Sequence, residues 1–85
     1  MTFVIYTKNG CPNCDKAKKL LEKEETIIIN CDQMLKNNRA EFIKSMELKI
    51  RRPFKSFPII FIGDDYLGGY EDLASHLIFD CDDDF

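Results

Sequence analysis

Two short apolar segments with an amphipathic helix between them constrain the fold of this chain most strongly. The segments TFVIYT (residues 2–7) and TIIINC (residues 26–31) are rich in β-branched side chains and nearly continuous in hydrophobicity, as strands covered on both faces are. Between them, Ala17, Leu20 and Leu21 recur at helical spacing. Because a helix that connects two strands in this way returns the chain in the same direction, the sequence predicts a parallel pair of buried strands.

The second half of the chain predicts a helix, a hairpin and a last helix. Residues 35–48 carry apolar side chains in a looser helical pattern. The segments PIIFIG (residues 58–63) and DYLGG (residues 65–69) are joined by a Gly-Asp-Asp turn and predict an antiparallel pair, which a helix over residues 70–79 follows. A chain of 85 residues suffices for one compact core. We therefore expect a single α/β domain over residues 1–85.

Cys11 and Cys14 lie where the first strand leads into the first helix. Pro12 suits the first helical position, which places the Cys11 thiol at a helix N-terminus, where free N–H groups and the helix dipole favour a thiolate. Lys8 adds a positive charge nearby. Cys14 lies one turn further, on the face of Leu21, and we expect its sulfur to be partly buried and close to Cys11. The spacing thus predicts Cys11 as the exposed nucleophile and Cys14 as the resolving thiol.

A single C-x-x-C is also found in zinc sites, which need two more ligands. Cys31, His76 and Cys81 are the residues available, but none of them belongs to a second C-x-x-C or to a pair at zinc-site spacing. Two inert thiols are a further alternative, although inert cysteines are not usually set at a polar, glycine-preceded helix start. We favour the redox pair and expect no metal. Cys31 is expected to be a small core residue, and the role of Cys81 stays open.

The charge and the beginning of the chain limit its partners and its location. A net charge of −3 gives no general affinity for nucleic acid. The first residues enter a strand without a charged leader, and the sequence has no long apolar stretch, so we expect a cytoplasmic protein that does not bind membranes. In a reducing compartment, a close cysteine pair indicates catalysis or metal binding better than a fixed disulfide framework.

Three motifs occur in a fixed order along nearly the whole chain: Lys8 before CPNC (residues 11–14), then SFPIIFI (residues 56–62), then LGGYEDL (residues 67–73). With these motifs the sequence resembles a small dithiol glutaredoxin. The resemblance implies a thioredoxin fold, with a central four-stranded mixed β-sheet flanked by about three helices. It also implies that the Phe57–Pro58 bond is cis and packs beside the cysteine pair.

The resemblance further implies a groove for glutathione. Lys8 would lie near a glutathione carboxylate, the backbone of Phe57 would pair with the tripeptide like an added strand, and Glu71 and Asp72 would hold the γ-glutamyl end. A helix that begins after Gly68 and Gly69 offers free N–H groups to a carboxylate, although these residues also suit a plain turn and helix start. The residues assigned to glutathione binding are Lys8, Asn13, Phe57, Pro58, Gly69, Tyr70, Glu71 and Asp72.

The sequence departs from the family pattern in and near this groove. Asn13 stands where the family often has an aromatic residue, and Phe57 replaces a smaller aliphatic residue. The segment LKIRRPFKSF (residues 48–57) is longer and more basic than the usual approach to the proline. Its basic side chains are most simply solvated, and a docking patch for an acidic partner is the alternative. They are Lys49, Arg51, Arg52 and Lys55.

The function that the resemblance implies is that of a glutathione-dependent thiol–disulfide oxidoreductase, which reduces protein disulfides and glutathione mixed disulfides through Cys11 and Cys14. Glutathione is the reductant, no cofactor is bound, and a monomer is expected. Ribonucleotide reductase is one family possibility among the substrates. Two alternatives stay open: a thioredoxin-like reductant recharged by a flavoprotein reductase, and a metal or iron–sulfur binding module.

Overall fold

The computed structural model describes residues 2–54 and 56–80. The described part contains four strands and three helices in the predicted order: β1 (Phe3–Thr7), α1 (Pro12–Leu20), β2 (Thr26–Asn30), α2 (Asp32–Ile50), β3 (Ile59–Ile62), β4 (Asp65–Gly68) and α3 (Tyr70–Asp80). The expectations for Lys55 and Cys81 concern residues outside this description. None of the three helices combines the length and the apolar character that a membrane span requires.

The strands form one mixed sheet in the order β2-β1-β3-β4. β1 pairs in parallel with β2, so that Val4 lies opposite Ile27, while β3 is antiparallel to both β1 and β4. Gly63, with φ of 61°, makes the turn between β3 and β4, where a left-handed backbone favours glycine. The predicted parallel pair, the predicted hairpin and the four-stranded mixed sheet with three helices are confirmed.

The core fills both faces of the two central strands. On one face, Ile5 and Ile60 pack with residues of α1 and α3, namely Ala17, Leu21 and Leu73. On the other face, Phe61 packs with Phe42 and Met46 of α2 and with the cysteines. Because β1 and β3 are covered on both sides, their apolar runs are explained by burial.

Two expectations about burial are wrong. β2 is an edge strand rather than a buried one, and Ile27 and Ile28 on its two faces are 53% and 54% exposed. β-branched residues favour the extended backbone even where neither face is fully covered, so the composition of β2 reports its conformation and not its burial. Leu20 is also mostly outside the core, at 39% exposed, because the buried stripe of α1 runs through Cys14 and Ala17 and on to Leu21.

The loose apolar pattern of α2 has a structural cause. Asn38 has φ of −156° and ψ of 85°, which are not helical values, so the segment consists of two helical halves that meet at a kink. The Asn38 side-chain oxygen accepts a hydrogen bond from the Glu41 N–H at 3.1 Å and caps the second half, as asparagine commonly does at a helix start. The two halves therefore do not share one continuous face.

Candidate active site

Cys11 is the N-cap residue of α1, with an extended backbone (φ −115°, ψ 101°) and Pro12 directly after it. Its Sγ accepts a hydrogen bond from the Cys14 N–H at 3.2 Å. Gly10 precedes it with φ of 69°, a backbone that makes the sharp entry into the helix accessible. The predicted position of the thiol at a helix N-terminus is therefore found, and a backbone donor points at the sulfur, where it stabilises a thiolate.

The two thiols are more buried than the sequence suggested. Cys14 is fully buried rather than partly buried, and Cys11 is only 8% exposed, so the expectation of an exposed Cys11 is wrong. The segment that contains Phe57 crosses the helix start, and the Cys11 Sγ lies 3.8 Å from the Phe57 carbonyl oxygen. The Phe57 backbone therefore covers one side of the Cys11 thiol.

Burial also sets the protonation state of Cys14. Desolvation raises the pKa of the Cys14 thiol to about 12, with a further increase from the hydrogen bond and the charge of Cys11, while the Lys8 backbone and the Lys18 ammonium act in the opposite direction. Cys14 is therefore a protonated thiol at neutral pH. This property suits a resolving residue, which must not compete with the nucleophile for the substrate.

Cys31 is a core residue, as expected. It is fully buried, its N–H donates to the Thr7 carbonyl at 2.8 Å, and its Sγ lies 3.7 Å from the Ile29 carbonyl oxygen. Burial raises the pKa of the Cys31 thiol to about 11, the Asp32 charge adds to this, and the Thr7 backbone lowers it in part. The thiol is thus inert at neutral pH, since the thiolate is the reactive form.

A polar network, which the sequence did not predict, holds the loop that precedes Cys11. The Asn9 N–H donates to the Asp32 carboxylate at 3.0 Å, and the Asn30 amide donates to the Asn9 side-chain oxygen at 3.2 Å. Asn30 in turn accepts from the Asp32 N–H at 2.9 Å. The sequence could have indicated this network only through the predicted parallel pairing of β1 and β2. Parallel neighbours have their C-terminal ends on the same side of the sheet, which brings the residues after each strand together.

The Phe57–Pro58 bond is cis, as the resemblance implied. The Phe57 ring stacks on Phe42, with 6.1 Å between ring centroids and 15° between planes, and meets Phe54 edge to face at 5.4 Å. Phe57 is 8% exposed. The bulky side chain before the proline is therefore packed in the core against α2.

A groove of about 510 Å³ lies between the segment before the cis proline and the start of α3. We call it the site groove. Its lining includes all the residues predicted to bind glutathione except Lys8, namely Asn13, Phe57, Pro58, Gly69, Tyr70, Glu71 and Asp72. Lys8 is exposed at the end of β1 and does not line the groove. Arg52, Phe54 and Tyr66 also line it; sequence reasoning missed them, although the basic run that includes Arg52 was noticed.

The start of α3 forms the far wall of the site groove. Asp72 accepts a hydrogen bond from the Gly69 N–H at 3.1 Å, and the Asp72 carboxylate lies against Gly68, so closely that a Cβ on Gly68 would overlap it. Gly68 also has φ of 139°, which disfavours other residues. The first N–H groups of the helix have no intrahelical acceptor, and Gly69 has no side chain that could cap them. These groups suit a ligand carboxylate.

A metal centre has little support in the described part of the chain. Among the side chains of residues 2–54 and 56–77, no group of three or more His, Cys, Asp or Glu is arranged to hold a metal ion. Cys81, which the zinc alternative would use, is not among these residues. Cys11, Cys14 and Cys31 are free thiols.

A cysteine pair at the start of a helix, set after the first strand of a mixed sheet and beside a cis proline, defines a thiol–disulfide oxidoreductase of the thioredoxin fold. The glutaredoxin family model matches residues 3–67. Glutaredoxin 1 of Escherichia coli strain K12 is 35% identical over 77 residues, which are 88% of this chain and 91% of that protein. The chain belongs to the glutaredoxin family, and it is a glutathione-dependent thiol–disulfide oxidoreductase.

Solved structures agree with this assignment. The three-dimensional structure of reduced E. coli glutaredoxin matches with a TM-score of 0.74 at 30% identity, over 96% of this chain and 99% of that one. A buckwheat glutaredoxin–glutathione complex matches with a TM-score of 0.76 at 20% identity, over 92% and 69% of the two chains, and shows the same fold. The predicted family, thioredoxin fold and enzyme class are confirmed.

Proposed function

We propose that Cys11 is the nucleophile of the oxidoreductase and Cys14 its resolving thiol. The observation that carries this assignment is the N-cap position of Cys11, whose sulfur receives the Cys14 N–H at 3.2 Å, while the Cys14 thiol is buried and protonated. A helix N-terminus stabilises the thiolate that must attack. Cys11 thus holds the helix start, whereas Cys14 lies in the core behind it.

The exchange proceeds in two displacements. The Cys11 thiolate attacks one sulfur of the substrate disulfide, so that a Cys11–substrate disulfide forms, the original S–S bond breaks, and the other sulfur leaves as a thiolate that takes up a proton. The Cys14 thiol then loses its proton and attacks the Cys11 sulfur, which releases the second substrate thiol and leaves a Cys11–Cys14 disulfide. Two electrons pass from the two cysteines to the substrate. Cys14 supplies one of the two protons, and solvent supplies the other, because Cys11 attacks as a thiolate.

Glutathione restores the dithiol in the same way. One glutathione thiolate attacks Cys11, frees Cys14 and forms a Cys11–glutathione disulfide. A second glutathione thiolate attacks the glutathione sulfur of that intermediate, releases glutathione disulfide and regenerates Cys11. Glutathione is consumed as a reductant, and no bound organic cofactor is needed.

The site groove is the proposed binding site for glutathione. The Phe57 backbone lies beside Cys11 and offers strand-like pairing to an extended peptide. At the far wall, the first N–H groups of α3 would receive the γ-glutamyl carboxylate, and the Asp72 oxygen that does not cap the helix would receive the ammonium. Lys8 would act from outside the groove, near Cys11. A buckwheat glutaredoxin of the same fold forms a complex with glutathione, which supports this placement.

We further infer that residues 1–85 act as one monomeric domain in the cytoplasm. Its substrates would be proteins with accessible disulfides or glutathionylated thiols, with ribonucleotide reductase as one possibility. A reducing compartment supplies the glutathione that the recharging step requires and keeps Cys31 as a thiol.

The proposed roles are tested by replacing each cysteine with serine. Cys11→Ser should abolish both reduction of protein disulfides and deglutathionylation, because no thiolate remains at the helix start. Cys14→Ser should retain deglutathionylation, since free glutathione resolves the intermediate, and should lose most reduction of protein disulfides. Cys31→Ser is the matched control and should keep both activities. If Cys14→Ser is as inactive as Cys11→Ser in deglutathionylation, the roles are wrong.

A further inference from the structure

One wall of the site groove carries a positive charge that the structure holds in place. Residues 49–57 contain four basic residues and no acidic one, in a chain whose net charge is −3. Two of these cations lie in different places. The Lys49 ammonium donates to the Tyr6 hydroxyl at 3.2 Å, away from the groove, whereas Arg52 lines the groove itself. Of these two cations, Arg52 therefore faces the groove and Lys49 does not.

Arg52 belongs to a segment with defined contacts. Its guanidinium lies over the Tyr66 ring, 5.8 Å from the ring centroid, an arrangement that cation–π attraction stabilises. Two residues further, the Phe54 N–H donates to the Glu47 carboxylate at 2.8 Å, and the Phe54 ring packs on Phe57. Segment 52–54 is thus anchored to α2 and to the core through Phe54, which keeps Arg52 beside the groove.

The charge of Arg52 is not neutralised by the part of the protein that the structure describes. No carboxylate of residues 2–54 or 56–77 forms an ion pair with it. Glu71 and Asp72 at the start of α3 also line the groove, and Asp72 is engaged in capping α3. The lining of the site groove therefore contains both a cation and carboxylates.

We propose that the Arg52 wall recognises an acidic side chain near the reactive cysteine of a protein substrate, so that acidic cysteine-bearing segments are the preferred substrates. The proposal rests on the proposed function, in which Cys11 attacks the substrate sulfur beside Phe57. A peptide extended along the Phe57 backbone lies in the groove that Arg52 lines, where a carboxylate of the peptide meets an opposite charge. Such complementarity sets specificity and association rate.

The test uses single-turnover reduction without glutathione, which keeps glutathione recognition out of the measurement. Two peptides contain one cysteine flanked by Asp and Glu or by the isosteric Asn and Gln, and the cysteine is joined in a disulfide to thionitrobenzoate. Reduced protein attacks the peptide sulfur, the Cys11–peptide disulfide forms, and the coloured thionitrobenzoate thiolate leaves. Cys14 then displaces the peptide thiol and the Cys11–Cys14 disulfide remains. The rate of colour release is compared for the two peptides.

We expect the unmodified protein to react about two- to fivefold faster with the acidic peptide, the range of a partly exposed ion pair. The preference should disappear in Arg52→Gln, reverse in Arg52→Glu, and shrink in 1 M salt, where the Debye length is about 3 Å. Lys44→Gln removes the same charge from an exposed position of α2 outside the groove and should keep the preference.

Three other results would contradict the proposed role of Arg52. Equal rates for the two peptides, or a preference that persists in Arg52→Gln, would overturn the proposal. So would an equal loss of preference in Lys44→Gln, because net charge would then explain it. If neither peptide releases thionitrobenzoate from the reduced protein, the proposed role of Cys11 fails as well, which separates the two conclusions.

Discussion

Burial separates the chemistry of two cysteines that are only three positions apart. Cys11 is 8% exposed at the helix start, whereas Cys14 is fully buried. The same turn of helix gives the Cys11 sulfur a backbone donor from Cys14 and surrounds the Cys14 sulfur with core. A dithiol in which both sulfurs were equally accessible would have no defined order of attack.

The raised pKa of Cys14 predicts a specific pH dependence of its reactivity. In Cys11→Ser, alkylation of folded Cys14 by iodoacetamide should still be rising above pH 10, because desolvation, the largest cause of the shift to about 12, remains. In the same variant unfolded in urea, the midpoint should return to the ordinary value of 9.0. At pH 8 the unfolded chain should react at least about a hundredfold faster. Peptide mass mapping measures both rates, and a midpoint near 9 in the folded protein would show that burial does not control this thiol.

At the scale of elements, the entrance to α3 shows how backbone geometry shapes the site groove. Gly68 combines φ of 139° with a close approach of the Asp72 carboxylate, and that carboxylate caps the helix through the Gly69 N–H. The start of the helix is thereby held at the distance from Pro58 that leaves the groove open. Glycine is required here by two independent constraints.

Substitution of Gly68 with alanine tests these constraints. The left-handed backbone costs about 1–2 kcal/mol for alanine, and displacement of Asp72 loses a hydrogen bond of about 0.5–1.5 kcal/mol, so we expect a loss of about 1.5–3.5 kcal/mol in the free energy of unfolding. Gly63→Ala is the matched control, because Gly63 has φ of 61° with open space around its Cα; it should lose only about 1–2 kcal/mol. Urea denaturation measures both, and equal losses would contradict the role given to Asp72.

The elements themselves could be predicted from the sequence to different degrees. The central strands were predictable because burial on both faces leaves a continuous apolar run, as around Ile5 and Ile60. β2 has the same composition, yet the sheet order leaves Ile27 and Ile28 at its edge, and no local pattern encodes which strand is outermost. In the sequence, the kink at Asn38 showed only as a weak helical periodicity of the apolar residues. It could not be located, because it depends on the hydrogen bond between the Asn38 side chain and the Glu41 N–H.

The site could be predicted where local chain geometry determines it. The positions of Cys11, Pro12 and Cys14 follow from helix-start chemistry. Gly69 and Asp72 were assigned through the family resemblance, because on local pattern alone they suit a plain turn and helix start equally well. The network of Asn9, Asn30 and Asp32 joins segments that are distant in sequence, and the inward turn of Phe57 depends on α2. Such contacts need the tertiary structure, because they are made between elements rather than within one.

At the scale of the whole molecule, the topology concentrates chemistry at one end of the sheet. β1 and β2 are parallel, so the Cys11 loop and the Asn30–Asp32 junction follow the C-terminal ends of the two strands and lie together. The antiparallel β3 begins beside the C-terminal end of β1 and brings the cis proline and Phe57 against Cys11. Cys11, which we propose as the nucleophile, the polar network that supports its loop, and the Phe57 backbone, which we propose binds the peptide, therefore lie together, although they come from three separate parts of the chain.

The central claim is that Cys11 forms the covalent bond to the substrate, and trapping of that bond tests it most directly. Cys14→Ser is incubated with glutathione disulfide, and the product is analysed by intact mass and by peptide mapping. We predict one stable glutathione adduct, located on Cys11, because the resolving thiol is absent and Cys31 is buried and protonated. An adduct on Cys31 instead, or the absence of any adduct under conditions in which the native protein is oxidised, would contradict the assignment of Cys11 as the nucleophile.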